Sequence, residues 1–247
     1  MALRPNSVAA YSDLGVGLFG ASRFQEALDA FDKAIALSPG SAINLSRAGA
    51  AAQQLGETKR ALAYYEQANA IQPRAETFSN IGTIQYGLGD YTKAAAAYEG
   101  SLLIRPQSAL TNRNLGDAYL RLGRKDDARR AYRKAVEQGQ VEVSLGPSDA
   151  RAIARLAVYQ AKAGDDATAR RSLQRAQLLA PGDQDVLRRA AVVHALAGRS
   201  GPALDAIEQA LAKGYSKRLG AEEEDFAILR PMPRFAALVS IPAEVKR

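Results

Sequence analysis

The chain has one histidine, His194, and no cysteine. Imidazole is the side chain best suited to acid–base work near neutral pH, and it is also a common metal ligand. A structural or catalytic zinc needs three or four protein ligands, and no second His or Cys exists to complete such a set. The acidic run Glu222-Glu223-Glu224-Asp225 could hold a hard cation, but clustered acids fit a helix start, where carboxylates meet the positive end of the dipole. Gly15-Val16-Gly17 followed by Gly20 has the glycine spacing of a dinucleotide fingerprint, yet no strand precedes it, as that motif requires. No nucleophile elbow or phosphate-binding loop appears. The expectation is a chain that is not an enzyme, with no catalytic residue, no metal and no cofactor.

Charge points instead toward binding. The chain of 247 residues carries a net charge of +7, and none of it lies in residues 1–108, where 9 Lys/Arg balance 9 Asp/Glu. Residues 109–247 hold 24 cations against 17 acids. A basic half steers an acidic partner or nucleic acid, or else it is a solvated helix surface, which is the simpler reading. No window approaches 18 consecutive apolar residues, so membrane insertion is not expected, and residues 1–5 lack the apolar core of a signal peptide.

The elements that position these residues recur. Ala27-Leu28-Asp29-Ala30-Phe31-Asp32-Lys33-Ala34 aligns with residues 61–68 and 94–101, at offsets of 34 and 33. Each block has Ala, an aromatic four residues on, and a small residue three further, which places all three on one helix face. Pro39, Pro73 and Pro106 follow the blocks and stop the helix. Leu14-Gly15, Ala48-Gly49, Ile81-Gly82 and Leu115-Gly116 lie upstream, and Ser22, Gly56, Gly89 and Gly123 close that first helix. Each unit is thus a helix A, a turn, a helix B and a proline-marked turn. A glycine within helix A costs about 1 kcal/mol relative to Ala. It is tolerable if helix B comes close there, with the small Ala27, Ala61, Ala94 or Ala128 facing it. His194 falls where Leu18, Ala52, Gln85, Tyr119 and Gln160 fall in other units, a position between the two helices, which makes it a packed histidine. The aromatics Phe31, Tyr65, Tyr98 and Tyr132 recur once per unit, as core residues do, and this argues against a base-stacking platform and against nucleic acid as a partner.

This pattern of a bulky residue, Leu-Gly, an aromatic, Gly, then Ala, an aromatic, Ala and Pro over about 34 residues resembles the tetratricopeptide repeat. The resemblance implies an all-α, right-handed superhelical solenoid of about six antiparallel helix–turn–helix repeats. The units run 8–41, 42–74, 75–108, 109–149, 150–183 and 184–215, followed by a helical cap at 216–247. Unit four is seven residues too long. The excess is close to two helical turns, which predicts a helix from about Lys125 to about Leu145 with Gly139 as a weak point; a normal helix followed by a loop is the alternative. Gly201-Pro202 is expected in the turn of unit six. Residues 2–7 are similar to the turn at 102–108, so 1–7 reads as the remnant of a preceding repeat. Met1 is then either an artificial start or the start of a piece of a longer chain. A cut face of this kind would offer a route to self-association.

In this family helix A lines the concave face, which holds an extended peptide or a partner helix. Its register implies groove residues Ser12, Val16, Ser46, Ala50, Ser79 and Thr83 in the first units. In the later units it implies Arg113, Asp117, Arg121, Arg151, Arg155, Lys162 and Arg188. Arginine pairs bidentately with carboxylates, so the basic end suits an acidic stretch. Chaperone-binding members hold a terminal carboxylate with a Lys/Asn clamp. Ser12 and Val16 cannot form one, which argues against a heat-shock chaperone adaptor. Residues 213–235 resemble the C-terminal ends of bacterial multidomain signalling proteins, in which such an array follows a kinase, cyclase or winged-helix regulator domain. The implied function is a protein-interaction scaffold, the partner-binding arm of a larger signalling protein. The alternative is the substrate-selecting repeat region of an enzyme, such as a kinase or glycosyltransferase, whose catalytic domain lies outside this chain. The expected location is the cytoplasm, or the periplasm for part of a membrane-spanning regulator.

Overall fold

The structure is a computed structural model that describes residues 7–240, and every described regular element is helical. Of the expected repeat remnant at 1–7, with its face for self-association, all but Ser7 lies outside the described residues, as do the last residues of the cap. Helices come in pairs of nearly constant length: α1 Val8–Gly20 with α2 Phe24–Leu37, α3 Ala42–Gln54 with α4 Thr58–Ile71, and α5 Ala75–Gly87 with α6 Tyr91–Ile104. Then follow α7 Ala109–Arg121, α8 Lys125–Leu145, α9 Ala150–Lys162 with α10 Asp166–Leu179, and α11 Gln184–Leu196 with α12 Ser200–Ala212. The C-terminal segment folds as α13 Lys217–Glu222, a 3-10 turn Glu224–Leu229 and α14 Pro233–Val239.

The turn between the two helices of a pair is chemically specified. Gly56, Gly89, Gly123, Gly164 and Gly198 all have φ between 70 and 88°, the left-handed conformation that glycine adopts without penalty. The next residue's N–H then reaches back five residues, as in Glu57 N to Ala52 O and Asp90 N to Gln85 O, both 2.9 Å, which ends the helix in a Schellman motif. Ser22 does the same work at φ 59° without glycine's freedom. At the other end, Ser7, Asp90, Ser108, Asp149, Asp165 and Asp183 cap helix starts by accepting from backbone N–H groups two or three residues on.

The chain divides into two compact units, Met1–Ala128 and Arg129–Arg247, with the boundary inside α8. In the first unit three pairs stack in order, and Ala27, Leu28, Phe31, Ala48, Ala52, Ala61 and Tyr65 form a buried core. The glycine of each A helix is required by contact. A Cβ on Gly15 would lie 2.5 Å from the Phe31 ring, on Gly49 2.9 Å from Tyr65, and on Gly82 2.6 Å from Tyr98. The sequence suggests that the small Ala of helix B faces the glycine; the atoms nearest to it belong to the aromatic ring.

The long helix α8 runs the full Lys125–Leu145, so the extra seven residues are helical and not a loop. Gly139 lies where α8 packs on α9: a Cβ there would lie 3.1 Å from Tyr159 and 3.2 Å from Leu156. Gly201 and Pro202 sit within the first turn of α12 and not in the turn before it, a place where proline's missing N–H costs nothing. The core of α9, α11 and α12 continues into Tyr215, Phe226, Leu229 and Phe235 of the C-terminal segment.

Candidate functional site

On the first unit, Ser12, Ser46, Ser79 and Arg113 are the fifth residues of α1, α3, α5 and α7, and Val16, Ala50, Thr83 and Asp117 are the ninth. They therefore share one register. Ser12 and Ser46 tie neighbouring A helices together, and Thr83 bonds within its own hairpin. Ser12 Oγ donates to Asn44 Oδ1 at 2.7 Å and accepts from Arg47 Nη1 at 2.6 Å. Ser46 and Thr77 hydroxyls meet at 3.2 Å. Thr83 Oγ1 donates to the Ser79 carbonyl at 3.0 Å and accepts from Tyr98 OH at 3.3 Å. Ser12 and Asn44 are buried, whereas Val16 and Thr83 stay exposed.

A depression of about 190 Å³ opens where α5 and α7 begin and α6 ends. Ser79, Asn80, Ser101 and Thr111 line it, together with the ion pair of Arg105 and Glu76 at 2.5 Å. The Glu76 carboxyl is held below the usual range, first by its own backbone N–H at the start of α5 and further by Arg105. On α7, Arg113 Nε lies 3.1 Å from Asp117 Oδ2, so this pair is locally neutral. Arg121 lays its guanidinium over the Tyr91 ring, 4.8 Å from the centroid, and Nη2 donates to Tyr91 OH at 2.6 Å.

On the second unit the register shifts. Arg151 and Arg155 are the second and sixth residues of α9, while its fifth and ninth are Ala154 and Val158, both buried. Arg151 donates through Nε and Nη2 to Asp183 Oδ2 at 2.9 and 2.8 Å, and the other oxygen of Asp183 caps α11. Arg155 reaches Glu142 of α8 at 3.5 Å. Lys162 and Arg188, expected in a groove, instead bind the C-terminal segment. Lys162 Nζ meets Asp225 Oδ1 at 2.5 Å, and Arg188 Nη1 meets Glu223 Oε2 at 2.8 Å. Every cation of the expected set thus has an acidic or aromatic partner within its own unit. The like-charge crowding that would favour an anionic ligand is largely relieved. The partners Glu223 and Asp225 were not legible from periodicity, because they lie outside the repeat.

His194 is half-buried between α11 and α12, and its Nδ1 accepts from Arg199 Nε at 3.2 Å. Burial, and then the Arg199 charge, push its pKa down. Arg199 also pairs with Asp166 at 3.0 Å. Among the described residues no group of three or more His, Cys, Asp or Glu side chains is placed to hold a metal ion. Among them, too, no helix is long and apolar enough to cross a membrane.

A family model described as the tetratricopeptide repeat matches residues 2–42, 12–76 and 113–183, more than half of the chain, and a second model of the same description matches 73–140. A stretch of 105 residues is 37% identical to the Hsp70-Hsp90 organizing protein of Triticum aestivum, covering 42% of this chain and 18% of that protein. The chain thus spans less than a fifth of this relative, and the match speaks for the repeat rather than for that protein's partners. Among solved structures, a tetratricopeptide repeat protein from Parabacteroides merdae superimposes with a TM-score of 0.65 at 19% identity, over 89% of this chain and 83% of that one. A chain of the APC/C hetero-tetramer Cut9-Hcn1 does so with a TM-score of 0.64 at 16% identity, over 96% of this chain and 43% of that one. At such identities these likenesses establish the fold alone.

Proposed function

We propose, from the premise that the chain belongs to the tetratricopeptide-repeat family, that it is a scaffold that binds another protein, taking a peptide or helix on the A-helix face of its first unit. The observation that carries this is the depression at the start of α5 and α7. It combines half-buried hydrogen-bonding side chains, Ser79 and Asn80, with a floor in which Ser101 Oγ donates to the Ala75 carbonyl at 2.8 Å. An extended peptide presents unpaired backbone N–H and C=O groups, and short hydroxyl and amide side chains on a fixed frame satisfy them at low entropic cost.

An acidic stretch in the partner would meet Arg121, which is exposed and already oriented by Tyr91. On the second unit Arg151 and Arg155 are paired with Asp183 and Glu142, and Lys162 and Arg188 with the C-terminal segment, so Arg121 is the cation this reading relies on. We assign the chain no catalytic step: its one imidazole is engaged by Arg199. The reading of a substrate-selecting arm of an enzyme has no observation in its favour.

The test is selection of peptides from a random library on the intact chain, followed by mapping of amide shifts. Shifts concentrated on α5 and α7 support the proposal. Selected peptides that bind the B helices, and whose affinity ignores Thr83→Trp and Asn80→Ala, refute it.

A further inference from the structure

We propose that the A-helix face of the second unit is itself a peptide site, specific for an acidic segment followed by an aromatic residue, and that the chain's own residues 223–226 occupy it. This site is separate from the depression on the first unit, and its test does not depend on that reading.

The first step is the contrast between equivalent positions. The ninth residue of the A helix is exposed in α1 and α5, as Val16 and Thr83, and half-buried in α3 and α7, as Ala50 and Asp117, but in α9 and α11 it is Val158 and Val192, at 6% and 1% exposure. The last two are buried in one cluster with Phe226, Leu229 and Phe235 of the C-terminal segment. That segment therefore lies where the first unit leaves its face open.

The second step is the chemistry of the contact. Two carboxylates two residues apart meet two cations on two A helices: Glu223 binds Arg188 of α11, and Asp225 binds Lys162 at the end of α9. The Lys162 and Asp225 side chains are 7% and 8% exposed, so neither charge is stable there without the other. Phe226 follows immediately and is completely buried. Two fixed charges and one apolar slot read both the order and the spacing of an acidic–aromatic motif.

The third step is that the recognition uses side chains. The backbone bonds described for the segment are local, Phe226 N to Glu223 O at 3.1 Å and Arg230 N to Ala227 O at 3.3 Å. A peptide of the same sequence can offer both carboxylates and the aromatic ring in trans. What keeps such a ligand out is the short tether from α12, which holds the internal copy at an effective concentration in roughly the millimolar range. A ligand presenting the same motif at higher affinity, or several copies of it, would displace the segment.

The probe is a fluorescein-labelled peptide of residues 221–230, read by anisotropy against the full chain. Wild type should bind it weakly. A full chain with a flexible insertion of about 20 Gly/Ser residues after Gly214 keeps every contact but dilutes the internal copy, and should bind at least about fivefold tighter. Lys162→Glu in that background should abolish the binding, and a probe with Ala in place of the phenylalanine should bind at least about tenfold more weakly. An insertion chain of unchanged helicity that binds no tighter than wild type, or that binds equally well with Lys162→Glu, overturns the proposal. If the insertion chain loses helicity, the Glu223→Lys/Asp225→Lys chain replaces it, and the same outcomes decide.

Discussion

Lys162 and Asp225, sixty-three residues apart in sequence, meet at 2.5 Å with both side chains under a tenth exposed. The ammonium also lies 5.9 Å from the Tyr132 ring centroid, which adds a second favourable environment for the charge. This pair joins the last residue of α9 to the 3-10 turn of the C-terminal segment.

A buried pair of this kind stabilises little in net terms, but breaking it strands a charge. Lys162→Ala should cost about 3–5 kcal/mol of unfolding free energy, because Asp225 is left buried and unpaired. Lys162→Met combined with Asp225→Leu should recover most of that loss. Urea unfolding of the two single variants and the double variant measures it. Single variants that cost less than about 1 kcal/mol would mean that water reaches the pair.

The glycines of the A helices should separate into two classes. Gly82→Ala places a methyl 2.6 Å from the Tyr98 ring and should destabilise by about 1–3 kcal/mol through overpacking. Gly17 lies in the same kind of helix with nothing within 4 Å of its Cβ position, and Gly17→Ala should stabilise by about 0.5–1 kcal/mol. Thermal melts of the two variants should therefore move in opposite directions.

The glycine period, the prolines and the single aromatic of each unit made the hairpins legible in the sequence, because each acts within one repeat. Even the length of α8 followed from counting residues between one unit and the next. What stayed hidden involves partners at long sequence distance. The facing of Gly15 and Phe31 is a matter of ring orientation, which spacing does not record. At α9 Arg155 stands one residue past the fifth position, which Ala154 occupies, and one residue rotates a side chain by about 100°. The capture of Lys162 and Arg188 by Asp225 and Glu223 could not be inferred from a pattern that ends before residue 216.

His194 should give the chain a pH-dependent loss of stability on the acid side. Its pKa is lowered in the folded state by burial and by Arg199, against the opposing pull of Asp166. The unfolded state therefore binds the proton more readily, and stability falls as pH drops below about 6.5, levelling off once pH passes the folded pKa. His194→Gln removes this titration, and Gln is the natural occupant of the same position in α5 and α9, as Gln85 and Gln160. The difference in unfolding free energy between wild type and His194→Gln should change between pH 7 and pH 5. A constant difference would mean that the imidazole is solvated in the folded chain.

The first-unit face yields the last prediction. Arg113 is neutralised by Asp117 on its own helix, so it adds little field beyond its neighbours. Arg121 differs: it is exposed at the end of α7, and Tyr91 orients its guanidinium. A peptide bound across α5 and α7 should thus use the hydroxyl and amide groups near Ser79 for most of its affinity, with Arg121 adding a single exposed electrostatic contact. Exposed pairs contribute at most about 1 kcal/mol, so Arg121→Glu should weaken a selected acidic peptide by about tenfold or less and flatten its dependence on salt. Thr83→Trp should do more, because its bulk occupies an exposed position of the face itself, whatever the ligand's charge. Titrations at low and high salt separate the two effects. If Arg121→Glu abolishes binding while Thr83→Trp leaves it intact, charge and not the small polar face governs recognition, and the ligand lies along the end of α7 rather than across α5.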